Sequence, residues 1–462
     1  MTSSTRSLLA LDALGANGSY HALNHEVIPD VSGEPVAELS LVPSLFTDRT
    51  VAALRAAKPA PADERIASIA RAGELFRNAV LGGLPPDEYC KVVSRVSGLP
   101  ITMVANSMRV LHQAAGDVRR NVRAALPNGA VEHWQNDATL PGCATWCRRG
   151  EVLAVLAAGN HPGVHSHWLE ALALGYRVAV RPSRHEPFTP HRMVLALREA
   201  GFGDDQVALL PTDHRTSDAL AAAADLAIVY GGEEVARKHS GDPGVLTQGP
   251  GRSKILITRD VDWQEHLDVI VDSIAAEAGT ACVNATAVLV EGDPAPLAAA
   301  IASRLERLPS LPADHPDAVL PTMPSAQAEK LSSFLRTKTG SATAFLGSEG
   351  VADDLGDGSA ALRPAVLQPR RGAFEQIGIE LPFPCVWVAS WSPDDGVGPL
   401  RDTLVLTALT RDDDLIESLV DEPTIANVYV GDRPTHWFGA GVPHDSFLAD
   451  FLMRTKGMSR TW

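Results

Sequence analysis

The segment that decides the fold runs from residue 152 to residue 163 and reads VLAVLAAGNHPG. Its first seven residues form a continuous apolar run, which is typical of a strand buried on both faces of a sheet. A turn follows over residues 159–163, and apolar residues then recur at helical spacing from Val164 to Leu172. The pattern predicts a buried strand that leads through a tight turn into a helix.

The same alternation continues along the chain. Strands are predicted at 176–180, 207–210 and 226–230, and helices at 190–200 and 217–224. Strands that alternate with helices indicate a parallel, doubly wound sheet, which binds nucleotides at the carboxyl ends of its strands.

A second α/β unit begins near Ser253, with strands at 254–257 and 285–290 and helices at 263–278 and 294–305. We predict mainly helix in the first 130 residues, with helices at 51–57, 64–80 and 86–93. Residues 131–149 are predicted to be irregular or β, 340–358 a surface loop, and 447–462 an extended tail.

Composition places the chain among globular proteins. It has 462 residues, 45% hydrophobic and 21% charged, and a net charge of −16. The length predicts two large domains, and the negative charge disfavours nucleic acids and anionic membranes as partners. We find no transmembrane or signal segment, and five scattered cysteines suggest a reducing compartment, so we expect a cytoplasmic location.

Three segments carry the chemistry. Cys282 offers a thiol nucleophile, and Asn160 lies in the turn after the first buried strand, where its amide can stabilise an oxyanion. Gln248 lies between them in the chain. The spacing of His161, His165, Cys143 and Cys147 completes no set of metal ligands, so we expect no metal.

No GxGxxG follows a predicted strand, so the usual dinucleotide fingerprint is absent. Five other motifs occur in a recognisable order, with Cys282 spaced from Gln248 as in one known family. They are Gly159-Asn160-His161-Pro162, Arg181-Pro182-Ser183, Gly231-Gly232-Glu233-Glu234, Gln248-Gly249-Pro250-Gly251-Arg252-Ser253 and Gly279-Thr280-Ala281-Cys282. In this order they resemble the motifs of the aldehyde dehydrogenase superfamily.

The resemblance implies an α/β fold with two doubly wound domains and a small β element for oligomerisation. The nucleotide-binding domain would comprise 1–130 and 150–250, the catalytic domain 251–435, and the oligomerisation element 131–149 and 436–462. It also implies a homodimer or homotetramer.

The resemblance assigns roles to individual residues. Cys282 would form a thioester, Asn160 and the Cys282 backbone N–H would stabilise the oxyanion, and a hydride would pass to or from a nicotinamide cofactor. The residues expected to contact that cofactor are Arg181, Ser183, Arg184, Gly231, Gly232, Glu380 and Phe383. Glu380 and Phe383 are assigned by aligning Glu380-Leu381-Pro382-Phe383-Pro384 with a family segment, and an alternative alignment uses Glu375-Gln376-Ile377-Gly378 instead. Trp437 and Phe438 are expected to line the substrate mouth or to cap the core.

Gln248 departs from the family pattern, because hydrolytic members have a Glu there that activates water, and an amide cannot act as a general base. Members that lack this Glu typically interconvert an acyl-CoA and an aldehyde, so the resemblance favours an acyl-thioester reductase with coenzyme A as co-substrate. Two alternatives remain open: a hydrolytic aldehyde dehydrogenase that uses another base, such as Glu277 or Glu234, and a non-catalytic assembly role.

A second departure concerns the cofactor. Arg181, Ser183 and Arg184 place two cations and a hydroxyl where family members that use NAD often carry a Glu, and this set suits the 2′-phosphate of NADP(H). A small-molecule aldehyde or acyl thioester is the expected substrate. An acyl carrier protein is a second candidate partner, and the basic residues in 119–123 would be its docking patch.

Overall fold

Two seven-stranded sheets and three smaller ones make up the computed structural model, which describes residues 8–462 without the side chains of residues 214 and 215. The N-terminal part contains five short strands followed by four helices. They are β1 (Leu9–Leu11), β2 (Ala13–Gly15), β3 (Gly18–Tyr20), β4 (His25–Pro29), β5 (Pro35–Ser40), α1 (Ser44–Ala56), α2 (Ala62–Asn78), α3 (Pro86–Ser97) and α4 (Ile101–Ala124).

The prediction of a mainly helical N-terminal part is right for residues 44–124 and wrong for residues 9–40. β2 and β3 form a hairpin in which Gly18, at φ +103°, follows the turn. Asn17-Gly18 is a strong hairpin signal that the sequence analysis missed. The first three strands have three residues each, which is too short for a period of two to be visible.

The first large sheet confirms the predicted parallel, doubly wound pattern. Its main strands and helices are β8 (Val152–Leu156), α5 (His167–Ala173), β9 (Arg177–Arg181), α6 (Phe188–Glu199), β10 (Val207–Leu209), α7 (His214–Ala223), β11 (Leu226–Tyr230), α8 (Glu233–Lys238) and β12 (Val245–Gln248). The strand order is β12-β11-β8-β9-β10-β2-β3, parallel from β12 to β10. The strand order reverses beside β8, and a ligand crevice is expected at the carboxyl ends of the strands there.

The second large sheet has the order β16-β19-β20-β14-β13-β21-β22. The elements of this part are β13 (Ser253–Ile257), α9 (Leu267–Ala275), β14 (Ala285–Glu291), α10 (Ala295–Leu305), β15 (Thr322–Pro324), α11 (Ser325–Thr339), β16 (Thr343–Leu346), β17 (Ala352–Asp354), β18 (Ser359–Leu362), β19 (Ala365–Gln368), β20 (Cys385–Trp391), β21 (Thr403–Leu409), α12 (Asp413–Asp421) and β22 (Ile425–Val430). A separate small sheet joins β15, β18 and β17.

Two predictions in this part need correction. The segment 340–358 is not only a loop, because β16 and β17 lie within it and pair with β19 and β18. β19 lies beyond this segment, and β17 and β18 have only three and four residues, which is too short for a period of two to be visible. The helix predicted at 263–278 is a 3₁₀ turn, Trp263–His266, followed by α9, which ends at Ala275.

A three-stranded sheet joins the segments that we expected to form the oligomerisation element. It contains β6 (Ala130–Val131), β7 (Cys143–Arg148) and β23 (Met453–Met458), with β23 at one edge. The tail is therefore not merely extended: α13 (Leu448–Leu452) precedes β23, which pairs with β7. Whether this sheet joins two subunits stays a prediction. No helix within residues 8–462 has the length and apolar character needed to cross a membrane.

Gly98 links the N-terminal helices to the second half of the chain. It ends α3 at φ +74°, and its carbonyl accepts a 2.8 Å hydrogen bond from the backbone N–H of Thr322. A Cβ at Gly98 would lie only 1.9 Å from the Thr322 carbonyl oxygen. The contact leaves no room for a side chain.

We predict that Gly98→Ala destabilises the protein more than Gly83→Ala does. Gly83 also has a positive φ, +79°, but nothing lies within 4 Å of the point that its Cβ would occupy. Both variants incur the cost of a left-handed alanine, about 1 kcal/mol, and only Gly98→Ala adds a clash of about 1–3 kcal/mol. Thermal unfolding of the two variants measures the difference, and equal midpoints would contradict the prediction.

Candidate active site

Cys282 lies in a short loop between a 3₁₀ turn, Ala276–Gly279, and β14. Three consecutive residues in this turn have left-handed backbone angles: Glu277 (φ 50°), Ala278 (φ 56°) and Gly279 (φ 65°). For the two residues that are not glycine, this conformation costs roughly 1–2 kcal/mol each, so the surroundings must hold it in place.

Side-chain hydrogen bonds hold the loop. His161 Nε2 lies 3.0 Å from Glu277 Oε2, and Asn106 Nδ2 donates to Glu277 Oε1 at 3.1 Å. Asn284 accepts from the Ala281 N–H at 2.9 Å and donates to the Ala276 carbonyl at 2.8 Å. Burial acts to raise the pKa of Glu277, but the hydrogen bond and charge of His161 bring the net shift below the ordinary value. Glu277, a candidate base, is therefore part of the loop's support.

The segment between β12 and β13 contacts the backbone of Cys282. Ser253 Oγ donates to the Cys282 carbonyl at 3.0 Å, and a Cβ at Gly251 would lie 1.8 Å from the same oxygen. Only glycine fits at position 251. The structure thus brings together two of the three chemical segments identified in the sequence.

Asn160 belongs to the same site. It follows β8 and lines, together with Cys282, a cavity of about 530 Å³. Its side-chain Nδ2 donates to the Thr280 carbonyl at 3.0 Å, two residues before the thiol. The carboxamide has a second N–H, so an oxyanion could still receive a hydrogen bond from it. That role stays a prediction.

Gln248 ends β12, and its side-chain Nε2 donates to Asp445 Oδ2 at 2.9 Å. Asp445 follows His444, whose Nε2 lies 3.6 Å from Cys282 Sγ and whose Nδ1 lies 3.6 Å from Asp445 Oδ1. The sequence analysis missed His444 and Asp445, because nothing in their spacing relates a C-terminal loop to a cysteine 162 positions earlier. The only local sign was the neighbouring imidazole and carboxylate.

Electrostatics distinguish the two histidines near the thiol. Burial disfavours a charged His444 ring, but Asp445 and Cys282 outweigh it and raise the pKa of His444 to about 10. Burial and the charge of His444 lower the pKa of His167 to about 3. The two rings are 4.9 Å apart between centroids, and His167 Nδ1 lies 3.1 Å from the Tyr230 hydroxyl oxygen. His444 can therefore be cationic near neutral pH while His167 stays neutral.

The cavity in front of Cys282 has a mixed lining. Trp437, Phe438 and Tyr429 form its aromatic side, and polar residues of α4 form the other. Trp437 and Phe438 thus line the cavity beside Cys282, and a role at the substrate mouth stays a prediction. Glu234, the second candidate base, lies exposed on α8 and does not line this cavity. Among the described residues, no group of three or more His, Cys, Asp or Glu could hold a metal ion.

Five of the seven expected cofactor residues lie at the carboxyl edge of the first large sheet. Arg181 ends β9, Ser183 and Arg184 follow it, and Gly231 and Gly232 follow β11. A Cβ at Gly159 would lie 2.4 Å from Ser183 Oγ, so the turns after β8 and β9 approach closely. This arrangement matches the crevice expected at the reversal of strand order.

The two arginines differ in their partners. Arg184 Nε lies 3.1 Å from a carboxylate oxygen of Glu26, so its charge is already paired. Arg181 is partly buried, with its Nη2 3.5 Å from the Thr212 carbonyl, and its Nε has no hydrogen-bond partner. The Thr212 hydroxyl is also buried without a partner. Both atoms are enclosed, so a contact between Arg181 and a nucleotide stays a prediction.

Glu380 and Phe383 occupy different environments. Glu380 Oε2 accepts a 2.6 Å hydrogen bond from the Arg252 N–H, next to Gly251, and burial raises its pKa. Phe383 is 1% exposed and packs in the core of the second large sheet. In the alternative register, Gln376 instead donates to carbonyls of Lys338 and Thr339 at the end of α11. Glu380 thus lies beside the Gln248–Ser253 segment, and the cofactor roles stay predictions.

Residues 26–374 match the model of the aldehyde dehydrogenase family. The chain belongs to this family. The match covers most of both large sheets and includes all five sequence motifs, so the expected superfamily and fold are confirmed.

Curated relatives of this family member match only in part. An aldehyde-dehydrogenase-like protein of Sinorhizobium fredii is 22% identical over 275 residues, which are 54% of this chain and 53% of that protein. An N-succinylglutamate 5-semialdehyde dehydrogenase of Yersinia pseudotuberculosis is 31% identical over 186 residues, 37% of each chain. The chain thus spans about half, or less, of the length of these relatives.

Solved aldehyde dehydrogenase structures share the whole fold. An indole-3-acetaldehyde dehydrogenase complexed with NAD⁺ superimposes with a TM-score of 0.81 at 16% identity, covering 98% of this chain and 97% of that one. A gamma-glutamyl-gamma-aminobutyraldehyde dehydrogenase from Burkholderia cenocepacia gives 0.81 at 18% identity, with the same coverage. At this identity the likeness establishes the fold alone.

We predict that Gly251→Ala slows the alkylation of Cys282, because it displaces the backbone that carries the thiol. A methyl group at position 251 must push away the Cys282 carbonyl. Gly249→Ala is the matched control, since a Cβ at Gly249 would have nothing within 4 Å of it. The measurement is the rate of alkylation of Cys282 by iodoacetamide, and equal rates for both variants would refute the steric argument.

Proposed function

We propose that this protein is a nicotinamide-dependent oxidoreductase that interconverts an aldehyde and an acyl thioester through Cys282. The acyl acceptor in the oxidising direction would be a thiol, with coenzyme A the first candidate, and in the other direction an acyl-CoA or carrier-bound acyl thioester would be reduced. The balanced reaction is aldehyde, thiol and oxidised cofactor giving thioester, reduced cofactor and one proton.

The proposal that a thiol, and not water, accepts the acyl group rests on the side chain of Gln248. Its amide donates to Asp445 at 2.9 Å, and an amide cannot accept a proton near neutral pH. Water needs such a base before it attacks a thioester. A thiol with a pKa of about 8.5 is already a few per cent thiolate at neutral pH and attacks without help from this position.

The chain's own groups perform the other tasks. The Cys282 sulfur attacks the carbonyl carbon to give a tetrahedral alkoxide, which the Asn160 amide and the Cys282 backbone N–H can stabilise by hydrogen bonds. The cavity beside α4 would hold the aldehyde's side chain against Trp437 and Tyr429. A bound nicotinamide supplies the hydride acceptor or donor.

The residues at the sheet edge support a nicotinamide nucleotide as cofactor, and NAD⁺ is bound by an indole-3-acetaldehyde dehydrogenase of the same fold. Arg181 and Thr212 have buried polar atoms without partners there, and Glu380 lies beside the Gln248–Ser253 segment. We propose NADP(H) over NAD(H) on the basis of Arg181 and Ser183. Arg184 supports this preference less, because Glu26 neutralises it.

A hydrolytic aldehyde dehydrogenase is the second candidate, and one observation favours it. His444 Nε2 lies 3.6 Å from Cys282 Sγ, so once Cys282 is acylated and the ring has lost its proton, the imidazole is close enough to take a proton from water that attacks the thioester. Hydrolysis would then yield a free carboxylic acid without the Glu of the family pattern.

Two surfaces suggest partners: the edge strand β23 for a second copy of the chain, and the basic segment 119–123 for an acyl carrier protein. β23 is an edge strand with four exposed residues, and we propose that it pairs with a second copy in a homodimer or homotetramer. For an acyl carrier protein, the basic segment 119–123 offers Arg120 and Arg123, whereas Arg119 is paired with Asp63 at 2.5 Å. A small-molecule acyl thioester therefore remains our first choice of substrate.

We predict that aldehyde oxidation depends on added thiol. Purified protein receives a panel of aldehydes with NADP⁺ or NAD⁺, with and without coenzyme A, and acyl-CoAs with NADPH or NADH. Turnover should require coenzyme A, should vanish in Cys282→Ser, and should fall by about 10²–10³ in Asn160→Ala, because one oxyanion donor is lost. Rapid formation of free acid without any thiol would favour the hydrolytic candidate.

We predict that Arg181→Gln reduces kcat/KM for NADPH by at least about tenfold and changes that for NADH much less, because one charge-assisted phosphate contact is lost. Glu26→Gln should act in the opposite direction by releasing Arg184. Steady-state kinetics with both cofactors measure the ratio. A wild-type protein that uses NADH as well as NADPH at low concentration would exclude the NADP preference.

A further inference from the structure

We propose that Cys282 and His444 form a thiolate–imidazolium pair that Asp445 positions, and that His444 then exchanges the proton of the acyl acceptor. His444 is thus a catalytic residue in place of the absent Glu. The acceptor step rests on the proposed function, whereas the ion pair itself does not.

The geometry places the three groups in a row. His444 Nε2 faces Cys282 Sγ at 3.6 Å, and Nδ1 faces Asp445 Oδ1 at 3.6 Å. Nδ1 is buried and has no hydrogen-bond partner, so the carboxylate is its nearest counter-charge. The loop is anchored because Asn427 Nδ2 donates to the His444 carbonyl. A thiol, an imidazole and a carboxylate in this order resemble the activated nucleophiles of other folds.

The groups around His444 favour its charged form. Cys282 faces it from the loop before β14, and Asp445 faces it from its own segment. From the first large sheet, α5 contributes the neutral His167, and β11 contributes Tyr230, whose pKa burial raises far above neutral. Among the described residues, Asp445 is the carboxylate paired with the ring, and its charge favours the imidazolium.

Gln248 acquires a positioning role in this arrangement. Its amide N–H satisfies Asp445 Oδ2 at 2.9 Å and leaves Oδ1 facing the imidazole. A Glu at position 248 would put a second carboxylate beside Asp445, and two carboxylates so close cannot both be ionised. Burial acts to raise the pKa of Asp445, but His444 and, to a smaller extent, the Gln248 amide bring the net shift below the ordinary value.

The proton balance of the acyl-transfer step is simple. With the acyl group on Cys282, His444 loses its proton to solvent and becomes neutral. The acceptor thiol gives its proton to His444 Nε2 as its sulfur bonds to the acyl carbon. The tetrahedral adduct collapses, the bond from that carbon to Cys282 Sγ breaks, and the thiolate leaves. The thiolate–imidazolium pair is restored.

The test measures Cys282 itself and needs no cofactor. The rate of alkylation by iodoacetamide is followed from pH 5 to pH 10 by mass spectrometry of the peptide that contains Cys282. Because the thiolate and not the thiol is the nucleophile, a wild type in which His444 holds Cys282 as a thiolate should still be alkylated rapidly below pH 7. In His444→Gln the profile should shift toward that of a free thiol, pKa about 8.5, with at least a tenfold lower rate at pH 6.5.

Asp445→Asn should produce a smaller shift in the same direction, because it removes the counter-charge and keeps the imidazole. His315→Gln is the matched control: this histidine is on the surface, with its side chain 42% exposed, and its profile should equal that of the wild type. Thiolate absorbance at 240 nm, with Cys282→Ser as the blank, gives a second reading if His444→Gln folds poorly.

Profiles of wild type and His444→Gln that coincide would overturn the proposal. A shifted profile without turnover of any aldehyde or acyl-CoA would instead support the ion pair and refute the proposed function. If both hold, Gln248→Glu should not create a hydrolytic enzyme. It should lower thiolate reactivity as Asp445→Asn does.

Discussion

The contact between Gly251 and the carbonyl of Cys282 is the constraint on which the site depends. Residues 249–252 are the crossing from the first large sheet to the second, since β12 ends at Gln248 and β13 begins at Ser253. Backbone at this crossing lies directly against the loop that carries the thiol. Because the approach leaves no room for a Cβ, the two sheets fix the thiol's place relative to Gln248 within a narrow range.

The second feature is how charge is distributed around the thiol. The carboxylate of Asp445 favours the protonated form of His444, while burial and the charge of His444 favour a neutral ring at His167, 4.9 Å away. Two adjacent cations would repel each other, which favours a charge on only one of the two rings. An amide at position 248 fits this pattern, because it donates to the carboxylate without competing for its charge.

The nucleotide edge of the first sheet was within reach of sequence reasoning, because parallel strands that alternate with helices bring their carboxyl ends to one edge. That rule places Asn160, Arg181 and Gly231 together although they are far apart in the chain. The pairing of Arg184 with Glu26 was not within reach, since β4 enters this region from an N-terminal part that was expected to be helical. Because Glu26 neutralises Arg184, the segment 181–184 offers a 2′-phosphate fewer free cations than the sequence alone suggests.

The sequence by itself determined the α/β fold, the family and the positions of Cys282, Asn160 and Gln248, because apolar periodicity and ordered motifs are local properties of the chain. Only the tertiary structure decided the partners of the thiol. His444 and Asp445 come from a C-terminal loop that carries no periodic pattern, and their approach to Cys282 follows from how that loop packs against both sheets. Long-range contacts of this kind have no local signature, so the hydrogen bond from Gln248 to Asp445 could be identified only from the three-dimensional structure.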